Sequence, residues 1–145
     1  MAGLPNAKPM RQASFTTTLS FGQYIVELPQ SAAQGWGLFG SIGVSDGDPS
    51  PIAVLARFGV SGASPILSRP LDRFGVAYFY SGQSRALIDA ARPLLRLRDE
   101  QGIEAFYNYA VTPWLGVTPD LQIICPFIAG HSVDFFVGLR TSIAL

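Results

Sequence analysis

The sequence predicts an all-β chain: about seven antiparallel strands forming part of a transmembrane β-barrel. Three observations carry that expectation. The composition is poor in charge, with 14% Asp, Glu, Lys and Arg against roughly 25% in soluble domains. It is also 12% aromatic, with 15 Gly and 11 Pro, which suits strands joined by turns. No run of about 20 apolar residues is available for a membrane helix: Arg57 closely follows Ile52–Leu55, and Pro126 ends Leu121–Cys125. Apolar side chains instead recur at period 2, in segments near the 9 to 11 residues that a tilted membrane strand needs.

The first segment, 15–28, is the least regular. Its parity changes near Gly22, where a β-bulge is expected. In 36–45, Trp36, Leu38, Ile42 and Val44 oppose Gly37, Phe39, Ser41 and Gly43. In 52–60, Val54, Ala56, Phe58 and Val60 oppose Leu55, Arg57 and Gly59. The fourth segment, 74–81, places Phe79 on the same side as Phe39. In 103–112, Tyr107, Tyr109 and Val111 oppose Glu104, Phe106, Asn108 and Ala110, and Gln122 of 117–125 joins the latter side. The last segment, 133–145, alternates throughout, with Val133, Phe135, Val137, Leu139, Thr141, Ile143 and Leu145 against Asp134, Phe136, Gly138, Arg140, Ser142 and Ala144. The first face of each pair suits lipid and the second a wet lumen. Between the fifth and sixth segments, Thr112-Pro113 and Thr118-Pro119 bracket a short link, because proline cannot donate to a ladder and belongs at strand ends. Trp114 in that link suits a water–lipid boundary.

Other motifs point away from chemistry. With 10 basic and 10 acidic residues there is no footprint for nucleic acid. One Cys and one His preclude an internal disulfide and metal-ligand spacing; Cys125, in apolar company, reads as an inert thiol. Gly35, Gly37 and Gly40 have dinucleotide-fingerprint spacing, but a strand rather than a helix continues after them. Gly43–Gly47 matches G-x-S-x-G around Ser45. A hydrolase reading needs a helix after Asp46, which Asp48-Pro49-Ser50-Pro51 does not favour. Asp99, Glu100 and Glu104 read as the solvated start of a strand, since an acid–base pair would need a dry pocket. No enzymatic activity and no cofactor are expected. Residues 1–13 are expected to be irregular, and their M-A-G-L-P-N-A-K-P-M start has no apolar run of signal-peptide length. The chain is therefore expected to begin partway through a longer protein, whose upstream segment supplies the remaining strands.

Several blocks resemble a known family in order and spacing. They are G-W-G-L-F-G-S-I-G-V-S-D-G-D-P-S-P-I at Gly35–Ile52, S-R-P-L-D-R-F-G-V-A-Y-F-Y-S at Ser68–Ser81, R-D-E-Q-G-I-E-A-F-Y-N at Arg98–Asn108, E-A-F-Y-N-Y-A-V-T-P-W-L-G-V-T-P-D-L-Q at Glu104–Gln122 and V-G-L-R at Val137–Arg140. Together, over residues 20–145, they resemble the final third of the carbohydrate-selective porins of bacterial outer membranes, the OprB family. The resemblance implies that residues 14–145 are the C-terminal part of a barrel of about 16 strands, within the even-numbered bacterial range. It implies an outer-membrane location, contact with lipid and lipopolysaccharide, homotrimers, and passive, carbohydrate-selective diffusion of small sugars. Seven strands alone cannot close, since barrels need about 8 or more, so Phe15–Leu28 and Val133–Leu145 would be edges. Leu145 departs from the terminal Phe of such barrels. Short turns of these barrels face the periplasm and longer loops the outside. On that rule 46–51, 82–102 and 126–132 lie outside, and 29–35, 61–73 and 113–116 inside, with 61–73 long for its side.

A channel favouring sugars needs flat apolar platforms beside planar hydrogen-bonding groups. Parity turns Arg57, Glu104, Phe106, Asn108, Gln122 and Arg140 toward the lumen, together with Phe39, Phe79 and Phe136. The arginine fork suits vicinal hydroxyls, with Glu104 and Asp134 expected to hold the arginines extended. In the outer loop, Ser84–Leu97 can form a short amphipathic helix capped by Ser84 and stopped by Pro93. Its Arg85, Arg92, Arg96 and Arg98 leave three readings open: a constriction in the mouth, contact with lipopolysaccharide phosphates, or a plain solvated loop. The alternative to a porin is a soluble β-sandwich binding module, with Val137, Leu139 and Ile143 in a protein core.

Overall fold

Residues 14–27, 35–92 and 94–144 are described by the structure, a computed structural model. Among the described residues seven strands follow one another: β1 Thr16–Glu27, β2 Gly35–Ser45, β3 Ile52–Ala63, β4 Arg73–Gln83, β5 Glu100–Thr112, β6 Leu115–Cys125 and β7 Asp134–Ile143. They form a single antiparallel sheet in the order β1-β2-β3-β4-β5-β6-β7. The segment 1–13 expected to be irregular, Leu28 of the first expected strand, residues 29–34 of the expected 29–35 link, Pro93 and Leu145 lie outside the described residues. Among the described residues no helix is long and apolar enough to cross a membrane, whereas every strand is of crossing length.

Register carries the predicted parity across the whole sheet. Arg57 pairs with Ser41 and Phe79, Glu104 with Ala77 and Gln122, and Phe136 with Gln122, so these share one face. Phe58 pairs with Gly40 and Tyr78, Ile103 with Tyr78 and Ile123, and Phe135 with Ile123, on the other. Register shifts fall at strand ends, between Tyr24 and Val26, Ile52 and Val54, and Ala110 and Thr112. The irregularity of β1 is therefore at Ile25, not Gly22; Gly22 keeps its pairing with Phe39.

Burial is inverted relative to a water-soluble fold. Among the described residues the only buried hydrophobic side chains are Ala63 and Ala77, and the largest fully buried ones are Asp72, Ser64 and Ser84. Leu19, Phe58, Ile103, Phe135, Val137, Leu139 and Ile143 are all exposed. One layer with a largely apolar outward face is a sheet built for hydrocarbon. The sandwich alternative is overturned: among the described residues there is no second sheet, and Val137 is 83% exposed.

The links are tighter than the sequence suggests. The β5–β6 turn is Pro113-Trp114, with the Leu115 N–H bonded to Thr112 Oγ1 at 3.0 Å. Pro119 does not end a strand; it lies inside β6 opposite Leu139. Its missing donor is tolerated because the β5–β6 ladder skips Tyr107 and Asn108 at that level, where Asn108 Nδ2 bonds to Thr118 Oγ1 at 2.7 Å instead. At the opposite end, α1 spans Arg85–Ala91, capped by the Ser84 hydroxyl on the Leu87 N–H. The Ser84 N–H bonds to Pro51 O, and Leu97 bridges Ile128, tying all three links of that end together.

The long 64–72 link is a compact latch. Arg69 is bidentate to Asp72, with Nε–Oδ2 and Nη2–Oδ1 both 2.9 Å. The Tyr107 hydroxyl donates to Asp72 Oδ2 at 2.8 Å. The β4–β5 ladder stops at Arg73 opposite Asn108, leaving the backbone of Ala110 without a strand partner on that side. Asp72 Oδ1 accepts the Ala110 N–H and Arg69 Nη2 donates to the Ala110 carbonyl, each at 2.9 Å. Two side chains thus continue the ladder where β4 ends, satisfying groups that are costly to leave unpaired. Burial alone would raise the pKa of Asp72, but bonds from Arg69, the Ala110 N–H and Tyr107 outweigh it and hold the carboxyl below its ordinary value.

Candidate functional site

The inward face carries a groove of about 530 Å³ lined by Arg57, Arg73, Glu104, Phe106, Asn108 and Arg140, among others. Its floor exists because β4 places Gly75 and Ala77 between β3 and β5, opposite Phe106 and Glu104. Arg57 on β3 and Glu104 on β5 stand two strands apart, roughly 10 Å at sheet spacing. Long side chains close that gap only over small residues. Across the floor runs an alternating chain of charge. Arg57 Nη2 meets Glu104 Oε2 at 3.2 Å, Glu104 Oε1 lies 3.9 Å from Arg140 Nη2, and Arg140 Nη2 meets Asp120 Oδ2 at 3.1 Å.

Aromatic rings flank this chain. The Arg57 guanidinium lies 5.8 Å from the Phe39 ring centroid and that of Arg140 lies 5.8 Å from Phe106, within cation–π reach. A Cβ on Gly75 would collide with the Phe106 ring, and one on Gly102 with Phe79. These rings therefore occupy the space a side chain would need at the glycines of the adjacent strand, covering them along the wall. Both arginines remain about half exposed, at 47% and 59%, while their carboxylate partners are more buried. Asp120 Oδ1 is buried and has no hydrogen-bond partner.

The structure brings Arg57, Glu104, Phe106, Asn108 and Arg140 together around the groove. Gln122 shares their face, paired in register with Glu104 and Phe136, without lining the groove. Glu104 does hold both arginines, but Asp134 does not hold Arg140: six residues of strand, roughly 20 Å at about 3.4 Å each, separate them. Asp120 takes that place. Its signal was available, since 118, 120 and 122 share a parity; placing Pro119 at a strand end hides it. Arg73 and Thr118 are likewise added by the structure.

The motifs set aside earlier serve as local structure. No helix follows Ser45, whose hydroxyl donates to Ile52 O at 2.6 Å and accepts the Gly47 N–H at 3.1 Å. Gly35–Gly40 is β2. Asp99 is exposed at the start of β5, as expected, and also accepts from the Tyr80 hydroxyl and the Gln83 N–H of β4. Arg98 is engaged by the Pro126 and His131 carbonyls, and Arg92 lies 3.6 Å from Asp89. The groove holds donors, acceptors and flat apolar faces, suited to a neutral polyhydroxylated solute.

Comparison with known proteins agrees with this geometry. The chain matches the family described as "Carbohydrate-selective porin, OprB family" over residues 3–145. No curated protein sequence matches it. Among solved structures, "High pH structure of Pseudomonas putida OprB" superposes with a TM-score of 0.79 at 20% identity. The match covers 87% of this chain and 34% of that one, so the chain spans about a third of its length.

Proposed function

The chain belongs to the carbohydrate-selective porin family OprB, and we propose that its seven strands form part of the wall of a pore passing small sugars by passive diffusion. It is a protein of the bacterial outer membrane. The observation that carries the channel reading is the opposition of two faces on one sheet: mostly apolar side chains outward, and the Arg57–Glu104–Arg140–Asp120 chain flanked by Phe39 and Phe106 inward.

A sugar crossing this face exchanges hydration for guanidinium donors and carboxylate acceptors, while its C–H faces pass over rings packed on the wall glycines. Because both arginines are half exposed and already neutralised, they bind hydroxyls weakly and release them, which diffusion through a pore requires. Arg57, Glu104, Phe106, Asn108 and Arg140 form the sugar path in this reading, with Gln122 beside it. Further strands pairing with β1 and β7 close the barrel, which stands in the membrane as a homotrimer, its outward rim against lipopolysaccharide.

Liposome swelling with the intact pore tests the path. Replacing Arg57 or Arg140 by Ala removes hydrogen bonds of about 1 kcal/mol, roughly fivefold in retention of a sugar. Glucose flux is expected to change while flux of a similarly sized apolar solute does not. Unchanged glucose flux in both variants would overturn the assignment.

A further inference from the structure

We infer that the 64–72 link is a membrane anchor, seating Ile66 and Leu67 at the acyl-chain boundary of the periplasmic-side phospholipid leaflet. The inference rests on the outer-membrane reading above and on the end carrying the two-residue β5–β6 turn being periplasmic.

Three observations support it. First, the latch folds onto the outward side of the sheet. Tyr107 pairs with Phe74, and Tyr109 with Val117, on the lipid-facing parity. The Tyr107 hydroxyl holds Asp72, and the Arg69 guanidinium lies 3.8 Å from the Tyr109 ring centroid. A simple turn would project into the periplasm; this one is drawn back against the wall. Second, it is rigid. The Ser64 N–H bonds to Asp72 O, the Arg69 N–H to Ile66 O and the Asp72 N–H to Arg69 O, at 2.9, 2.9 and 3.2 Å, and Ser64 Oγ accepts the Ile66 N–H. These bonds hold its apolar tip outward, with Ile66 49% and Leu67 78% exposed.

Third, the patch is continuous with the lipid-facing wall. Tyr109 and Val111 on β5 and Trp114 in the next turn are exposed at the same end. Tyrosine and tryptophan at that level are the side chains of a membrane–water boundary. Arg69 brings no uncompensated charge there, being bidentate to Asp72. Phospholipid is therefore the occupant favoured over water, and continuity with the wall favours it over a second protein.

The test uses an environment-sensitive fluorophore on Leu67→Cys, in a Cys125→Ser background, with the intact pore in phospholipid vesicles. Labels on Val137→Cys (mid-wall) and Ser142→Cys (inward face) serve as references. The expected result is several-fold stronger quenching of the Leu67 label than of the Ser142 label by a nitroxide near the lipid glycerol, with protection from aqueous iodide. Iodide quenching equal to that at Ser142 overturns the anchor, and so does protection from both quenchers, which would mean another protein copy covers the tip. If the Val137 label escapes quenching by a nitroxide placed deep in the acyl chain, the wall reading fails as well; if it is quenched there while Leu67 escapes the glycerol-level nitroxide, only the anchor fails.

Discussion

Arg69–Asp72 at the rim and Arg57–Glu104 on the inward face are both arginine–carboxylate contacts, at 2.9 and 3.2 Å. The rim carboxylate is 1% exposed and accepts four hydrogen bonds, one from a backbone N–H that no strand reaches. The inward carboxylate is 19% exposed and is shared between two guanidiniums, each open to solvent over about half its surface. The same ion pair thus serves two ends. Where it replaces a missing strand it is a strut, and where it faces water it is a set of donors that a solute can borrow. Burial and backbone satisfaction, not the residue types, separate the two.

That contrast is most strongly tested by Asp72→Ala. It leaves Arg69 without its partner and the Ala110 N–H without an acceptor, and stability is expected to fall by about 3 kcal/mol. A urea midpoint or the temperature of heat-modifiable gel migration reads it out. A loss no larger than that of an inward-face charge would erase the distinction.

Acid probes the same strut without mutation. The carboxyl of Asp72 is held below its ordinary value of 3.8, so its contribution is complete at neutral pH. It declines as pH falls through the region of the unfolded value and is gone below the folded one. Asp72→Asn should flatten that part of the stability–pH curve, measured by the same melting assay. Tyr107→Phe removes one of the four bonds and is expected to cost about 1 kcal/mol. Smallest is Arg140→Ala: its contacts are solvent-screened, and the change in stability is expected to stay within about 1 kcal/mol. A larger loss would make the inward chain structural rather than solute-facing.

Period-2 alternation made most of the wall readable. Val133 through Ile143 alternates without a break, and each ladder transmits that parity to its neighbour, so Arg57, Glu104, Phe106 and Arg140 could be placed on one face before any pairing was known. The same rule leaves Asp120 unassigned, because Pro119 reads as marking a strand end; a ladder gap tolerates the proline. The bulge at Ile25 rather than Gly22 was hidden for a related reason, since glycine permits irregularity without requiring it. The latch left only the Arg69-x-x-Asp72 spacing as a trace, and its bonds to Tyr107 and Ala110 span more than thirty residues.

What the order of residues determined alone was local and repetitive: strand length, which side chains share a face, the Ser84 cap, and the lack of an apolar run long enough for a membrane helix. These follow from alternation and backbone chemistry, which act between near neighbours. Which carboxylate meets which arginine, which rings lie over which glycines, and how the 64–72 link is drawn against the outward wall were decided only by register between strands. Those contacts join residues far apart in the chain and near in space, and alternation within any one strand carries no record of them.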